Sequence, residues 1–80
     1  MWKIIDDCGK QLTVNSRVRA IDDQHTKIYE VIEIEFDQYK LQLISRDGMP
    51  AVDALHQILT CDQLVKYNFE VEENEATVID

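Results

Sequence analysis

The sequence predicts an all-β domain, a single small barrel of about five antiparallel strands with one short helical turn near residues 61–66. Three observations carry this. Residues 27–45, "KIYEVIEIEFDQYKLQLIS", are dense in β-branched and aromatic residues and alternate apolar with polar. Residues 16–21, "SRVRAI", set Val18 and Ala20 on one side and Arg17 and Arg19 on the other, the period of a half-buried strand. Residues 60–63, "TCDQ", form a Thr-x-x-Gln capping box that starts a helical turn after a strand over 56–60. The competing architecture is α+β. Val52, Leu55, Ile58 and Leu59 also fit helical spacing, so residues 50–60 could form a helix opened by Pro50 on a four-stranded sheet.

Taken in chain order, Trp2, Ile4 and Ile5 read as a short strand or ordered arm, and residues 6–10, "DDCGK", as a turn. Residues 11–14, "QLTV", alternate and lead into the strand at 16–21; "DDQH" at 22–25 is a polar turn. The long segment divides into two strands joined by a tight reversal at Asp37-Gln38. Glu33 or Glu35 would then oppose Lys40 or Gln42 on the wet face. Tyr29 and Val31 break the parity, which a bulge near Val31 repairs. Asp47-Gly48 marks the next turn, and the final strand lies near "YNFEV" at 67–71. The expected core is Ile4, Leu12, Val14, Val18, Ala20, Ile32, Ile34, Phe36, Leu41, Leu43, Leu55, Ile58, Leu64 and Val65.

Eighty residues make one domain. We place the barrel at 1–68, with the last strand end and an acidic C-terminal tail at 69–80. The chain carries a formal net charge of −8. Residues 69–80 hold 5 acidic and 0 basic residues, whereas residues 1–68 hold 11 acidic and 8 basic. No stretch approaches the about 18–20 consecutive apolar residues of a membrane span. The first ten residues are interrupted by charge, unlike a secretory signal. The expected location is the cytoplasm, with Cys8 and Cys61 as two reduced thiols; a bridge between them would need Cα atoms within about 7 Å.

The succession "VNSRVRAID", "KIYEVIEIE", "YKLQLI" and "ILTCDQLVKY" resembles the SH3-like small barrels, in particular their KOW and Tudor-type branch. In that pattern a first strand leads through a loop to a long bent hairpin, and a fourth strand ends in a one-turn helix. The resemblance spans roughly residues 12–69 and implies a fold; fold alone does not imply function. Residues 22–30 lack the glycine of KOW motifs. Tyr29, Phe36 and Tyr39, the only aromatic residues of the hairpin, are too few for a Tudor-type cage.

Candidate chemistry is sparse. Cys8, His25, His56 and Cys61 match no metal-ligand spacing, and the two glycines build no phosphate loop, so no metal and no cofactor is expected. Cys61 with His56 and Asp53 or Asp62 has the residue types of a nucleophilic site without its motif, so no enzyme is predicted. Cys61, at the start of the helical turn, is a candidate reactive thiol. Arg17, Arg19 and Lys27 are a candidate basic patch. Neighbouring carboxylates within a Debye length of about 8–10 Å offset it, and nucleic acid is not the expected partner.

What remains is contact with protein. A long hairpin projects beyond a small core and can pair through its edge. The predicted function is a non-catalytic protein-interaction module, self-associating through residues 27–45 or binding another protein, with Tyr29, Glu30, Glu33, Glu35, Tyr39 and Lys40 as contact residues. Two other classes compete. One is a nucleic-acid-associated accessory protein. The other is an acidic inhibitor that mimics phosphate toward a basic nucleic-acid-binding protein through Glu70, Glu72, Glu73 and Glu75.

Overall fold

The alternation in the middle of the chain becomes two long strands, which form a meander with the shorter strand before them. A computed structural model of the protein describes residues 1–22, 24–52 and 55–73. β1 is Trp2–Ile4, α1 Cys8–Gln11, β2 Arg17–Ile21, β3 Thr26–Glu35 and β4 Gln38–Arg46. β5 is Met49–Pro50, β6 His56–Thr60, α2 Cys61–Lys66 and β7 Glu70–Glu72. The fold is mostly antiparallel β-sheet with two short helices. Residues 56–60 are a strand, so the helix over 50–60 is not formed; Asp53 and Ala54 lie outside the described residues.

The sheet runs β1-β7-β2-β3-β4-β5, and β6 joins β4 beside β5. The all-β class expected above is found, and the sheet is open, with no ladder joining its two ends among the described residues. Bulges at Ile28/Tyr29 and at Val31/Glu33 bend the long hairpin. The second is the one that the parity break at Val31 predicted.

Local chemistry fixes each helix. Gln11 folds back over the start of α1. Its side-chain oxygen accepts from the backbone N–H of Asp6 and of Asp7, at 2.8 and 2.7 Å. A helix thus stands where a turn was expected, and the "QLTV" segment forms no strand. In α2 the capping box closes in both directions: Gln63 N–H donates to Thr60 Oγ1 at 3.2 Å, and Thr60 N–H to Gln63 Oε1 at 2.9 Å. At its other end Asn68 takes φ 59°, and the N–H groups of Asn68 and Phe69 return to the carbonyls of Val65 and Leu64. That is a Schellman closure, with buried Phe69 and Leu64 as its apolar contact.

The core gathers Ile5, Val18, Val31, Leu41, Leu64 and Val71 with the larger Tyr29, Tyr39 and Phe69. Leu12 belongs to it as expected, and Ala20, Ile34 and Leu43 pack against it half-buried. Six expected core residues face water instead, namely Ile4, Val14, Phe36, Leu55, Ile58 and Val65. The register explains two of them. Ile4 stands opposite Glu70 and Ile58 opposite Lys40, both on wet faces, while their neighbours Ile5 and Leu59 turn inward. Ile32 occupies the bulge, half-buried and outside the core. Phe69 and Val71, in the segment read as the last strand end, belong to the core.

Candidate functional site

The bulge at Val31–Glu33 divides β3 into a covered half and a free half. β2 pairs with β3 only as far as Glu30, and the backbone of Asn15 and Ser16 reaches Val31. Beyond it, Ile32–Glu35 pairs with β4 alone among the described residues. Alternate N–H and C=O groups along this stretch therefore face solvent, a template for another strand. Glu33 opposes Lys40, with their charged groups 3.9 Å apart, and Glu35 opposes Gln38.

The hairpin then reverses through Phe36 and Asp37, one residue earlier than the expected Asp37-Gln38. Phe36 is 94% exposed and left-handed at φ 57°, a conformation uncommon for a bulky residue. The tip is held from behind, because the Asp37 carbonyl accepts from the Cys61 N–H at 3.1 Å. Cys61 begins the capped helix α2 and forms a disulfide with Cys8 of α1, with Cα atoms 6.0 Å apart. The expectation of two reduced thiols is thereby corrected. Cys61 is no free nucleophile, and His56 lies exposed at the start of β6 opposite Gln42.

Two of the six expected contact residues are structural. Tyr29 and Tyr39 are 8% and 5% exposed, and the Tyr29 ring packs 6.2 Å from that of Phe69. Burial raises both phenols above their ordinary pKa; nearby carboxylates (Asp22 for Tyr29, Asp37 and Asp7 for Tyr39) push the same way. Glu30, Glu33, Glu35 and Lys40 are solvent-accessible. Phe36 and Ile58 (58% exposed) are surface residues that sequence reading placed inside. The available signal was Asp37, a turn-forming residue whose place at the second turn position would have put Phe36 at the tip.

The basic patch does not assemble. Lys27 stands opposite Ala20 on the core side of the sheet, whereas Arg17 and Arg19 point to the other side, Arg17 opposite Glu30. Arg19 is also occupied, its Nε donating to Glu70 Oε1 at 2.8 Å and its guanidinium lying 4.5 Å from the Trp2 ring centroid. The acidic tail is likewise part of the sheet at its start. Glu70 and Glu72 belong to β7, and the Glu73 carboxylate lies 3.6 Å from Lys3 Nζ; Glu75 is outside the described residues.

At the far end of the hairpin, Asp47-Gly48 turns with both residues left-handed, as a type I′ turn requires. The Asp47 carboxylate accepts from the Thr26 N–H at 2.8 Å and contacts His25 Nδ1 at 2.7 Å. The Thr26 N–H first, and His25 second, hold its carboxyl below the usual range. Asp22 is lowered by the N–H groups of Gln24 and His25. A groove of about 400 Å³ opens beside this turn, walled by Leu43, Met49, Pro50 and Leu55 with Arg46 at its rim.

No family model, curated protein or solved structure matches this chain. Among the described residues, no helix is long and apolar enough to cross a membrane.

Proposed function

We propose that this chain is a non-catalytic protein-interaction module whose contact surface is the free end of the β3–β4 hairpin. The observation that carries the reading is the combination of a backbone edge at Ile32–Glu35 that is unpaired among the described residues with an exposed Phe36 at a strained tip. Folding alone gives no reason to place an aromatic ring in left-handed backbone and in water. Backbone strain of this kind concentrates at functional positions. The edge offers main-chain hydrogen bonds and the ring an apolar anchor, the two parts of recognition by strand addition.

Self-association is a second reading, favoured at a different edge. β6 bears no acidic residue or lysine or arginine, is hydrogen-bonded to β4 alone among the described residues, and exposes Ile58. A second copy would meet no like charge there.

Selection of peptides from an unbiased display library on the full chain tests the main reading, with amide shifts of the labelled protein locating the contact. Selected peptides should perturb Ile32–Phe36, and Phe36→Ser should weaken them. Peptides that instead perturb the groove at Leu43 and Leu55 would overturn the assignment.

A further inference from the structure

We infer that the strand added to the free edge of β3 is basic, an extended segment of another protein in which Lys or Arg alternates with apolar residues. The inference rests on the hairpin-end reading and names the chemistry of its partner. A strand laid beside Ile32–Glu35 sends alternate side chains to the two faces of the sheet. On one face they stand beside Glu33 and Glu35, both exposed. Lys40 reaches Glu33 only at 3.9 Å, and among the described residues no cation lies within 4.0 Å of Glu35. Cations on the added strand complete those rows, since opposite charges side by side across strands are favourable. On the other face the incoming residues stand beside Ile34, half-buried over the core, and the exposed Phe36 follows directly after the strand. The pattern read by this edge is therefore a cation at each position facing Glu33 or Glu35, with an apolar residue between.

The same geometry argues against a second copy at this edge. Any register that keeps Ile34 beside apolar neighbours brings the glutamates of one β3 against those of the other. Like charges directly opposite are unfavourable, and a formal net charge of −8 adds long-range repulsion.

Three synthetic eight-residue peptides test the inference on the full chain. They share valine at alternate positions and carry Lys, Thr or Glu between them. The readout is the amide shifts of Ile32–Phe36 as each peptide is added. The Lys peptide should bind roughly tenfold tighter than the Thr peptide, from two cross-strand charge pairs. That advantage should shrink as salt rises, and the Glu peptide should leave the edge unperturbed. Glu33→Lys combined with Glu35→Lys should transfer the preference to the Glu peptide; both sites are exposed, and the salt series on the unmodified chain reads the same charge term without them. Equal binding of the Thr and Lys peptides would overturn the charge assignment while leaving the edge as the contact. Binding of none of the three would overturn the edge reading as well. Concentration-dependent shifts of Ile32–Phe36 without peptide would show that the occupant is a second copy.

Discussion

β4 begins and ends in a two-residue turn, and the two turns are made of opposite materials. At its C-terminal end, Asp47 and Gly48 take φ 55° and 83°, and both are residue types that tolerate left-handed backbone. Asp47 also satisfies the Thr26 N–H and touches His25, so the turn is tied into β3. At its N-terminal end the left-handed position is Phe36, which packs against nothing that hides it from water. The first turn is explained by folding. The second costs stability locally and is held by its surroundings through Asp37, Cys61 and the Cys8–Cys61 bridge. This contrast supports the proposed contact at the Phe36 end, whereas the Asp47 end is accounted for by the contacts that fold it.

The largest effect should come from removing the support behind the Phe36 turn. Cys8→Ser with Cys61→Ser should lower stability by about 2–5 kcal/mol in urea unfolding, since the bridge closes a long loop in a small domain. Amide exchange should rise more at Asp37 than at Gly48. Equal loosening of both turns would remove the distinction between them.

Next come the turns themselves, with opposite signs. Gly48→Ala should destabilise by about 1–2 kcal/mol through backbone strain alone, because an added Cβ there meets no atom within 4 Å. Phe36→Asn should be neutral, or stabilising by up to about 1 kcal/mol, since Asn tolerates the conformation better and no buried contact is lost. A loss above about 2 kcal/mol for Phe36→Asn would mean that the ring is packed, as a core residue is.

The smallest effect is acid sensitivity confined to the Asp47 end. The Asp47 carboxyl is lowered from 3.8 in the folded chain, so the ionised form favours folding. Its contribution is present above about pH 3.8, the unfolded value, and is lost as pH falls through the lower folded value. The Gly48 amide resonance followed from pH 5 to pH 2 should inflect below 3.8. An inflection above 3.8 would contradict the Thr26 and His25 contacts.

Much of this architecture was legible where chemistry is local. The Thr60–Gln63 box, the strand at 56–60, the Asp47-Gly48 turn and the bulge near Val31 each depend on residues within a few positions of one another. The exact place of the bulge was not legible. Which residue is doubled decides which side chains turn inward, so Tyr29 and Val31 joined the core and Ile32 fell out of it, while Ile34 kept the face expected of it. The turn one residue early then put Phe36 in water. Nor could spacing pair Cys8 with Cys61 across 53 positions, because their meeting depends on where the sheet carries α1 and α2. For the candidate site the sequence pointed to the whole hairpin at 27–45 and not to its Phe36 end. Its key residue was hidden because an aromatic in an alternating strand reads as core.

Residue-resolved hydrogen exchange along β3 of the dilute chain tests the central claim most directly. From Thr26 to Val31 every amide has a partner strand or segment on one side or the other and should exchange slowly. From Ile32 to Glu35 about every second amide should exchange near the rate of an unstructured chain. Uniform protection from Thr26 to Glu35 would show that the distal edge is covered, and the assignment of the Phe36 end to partner binding would fall.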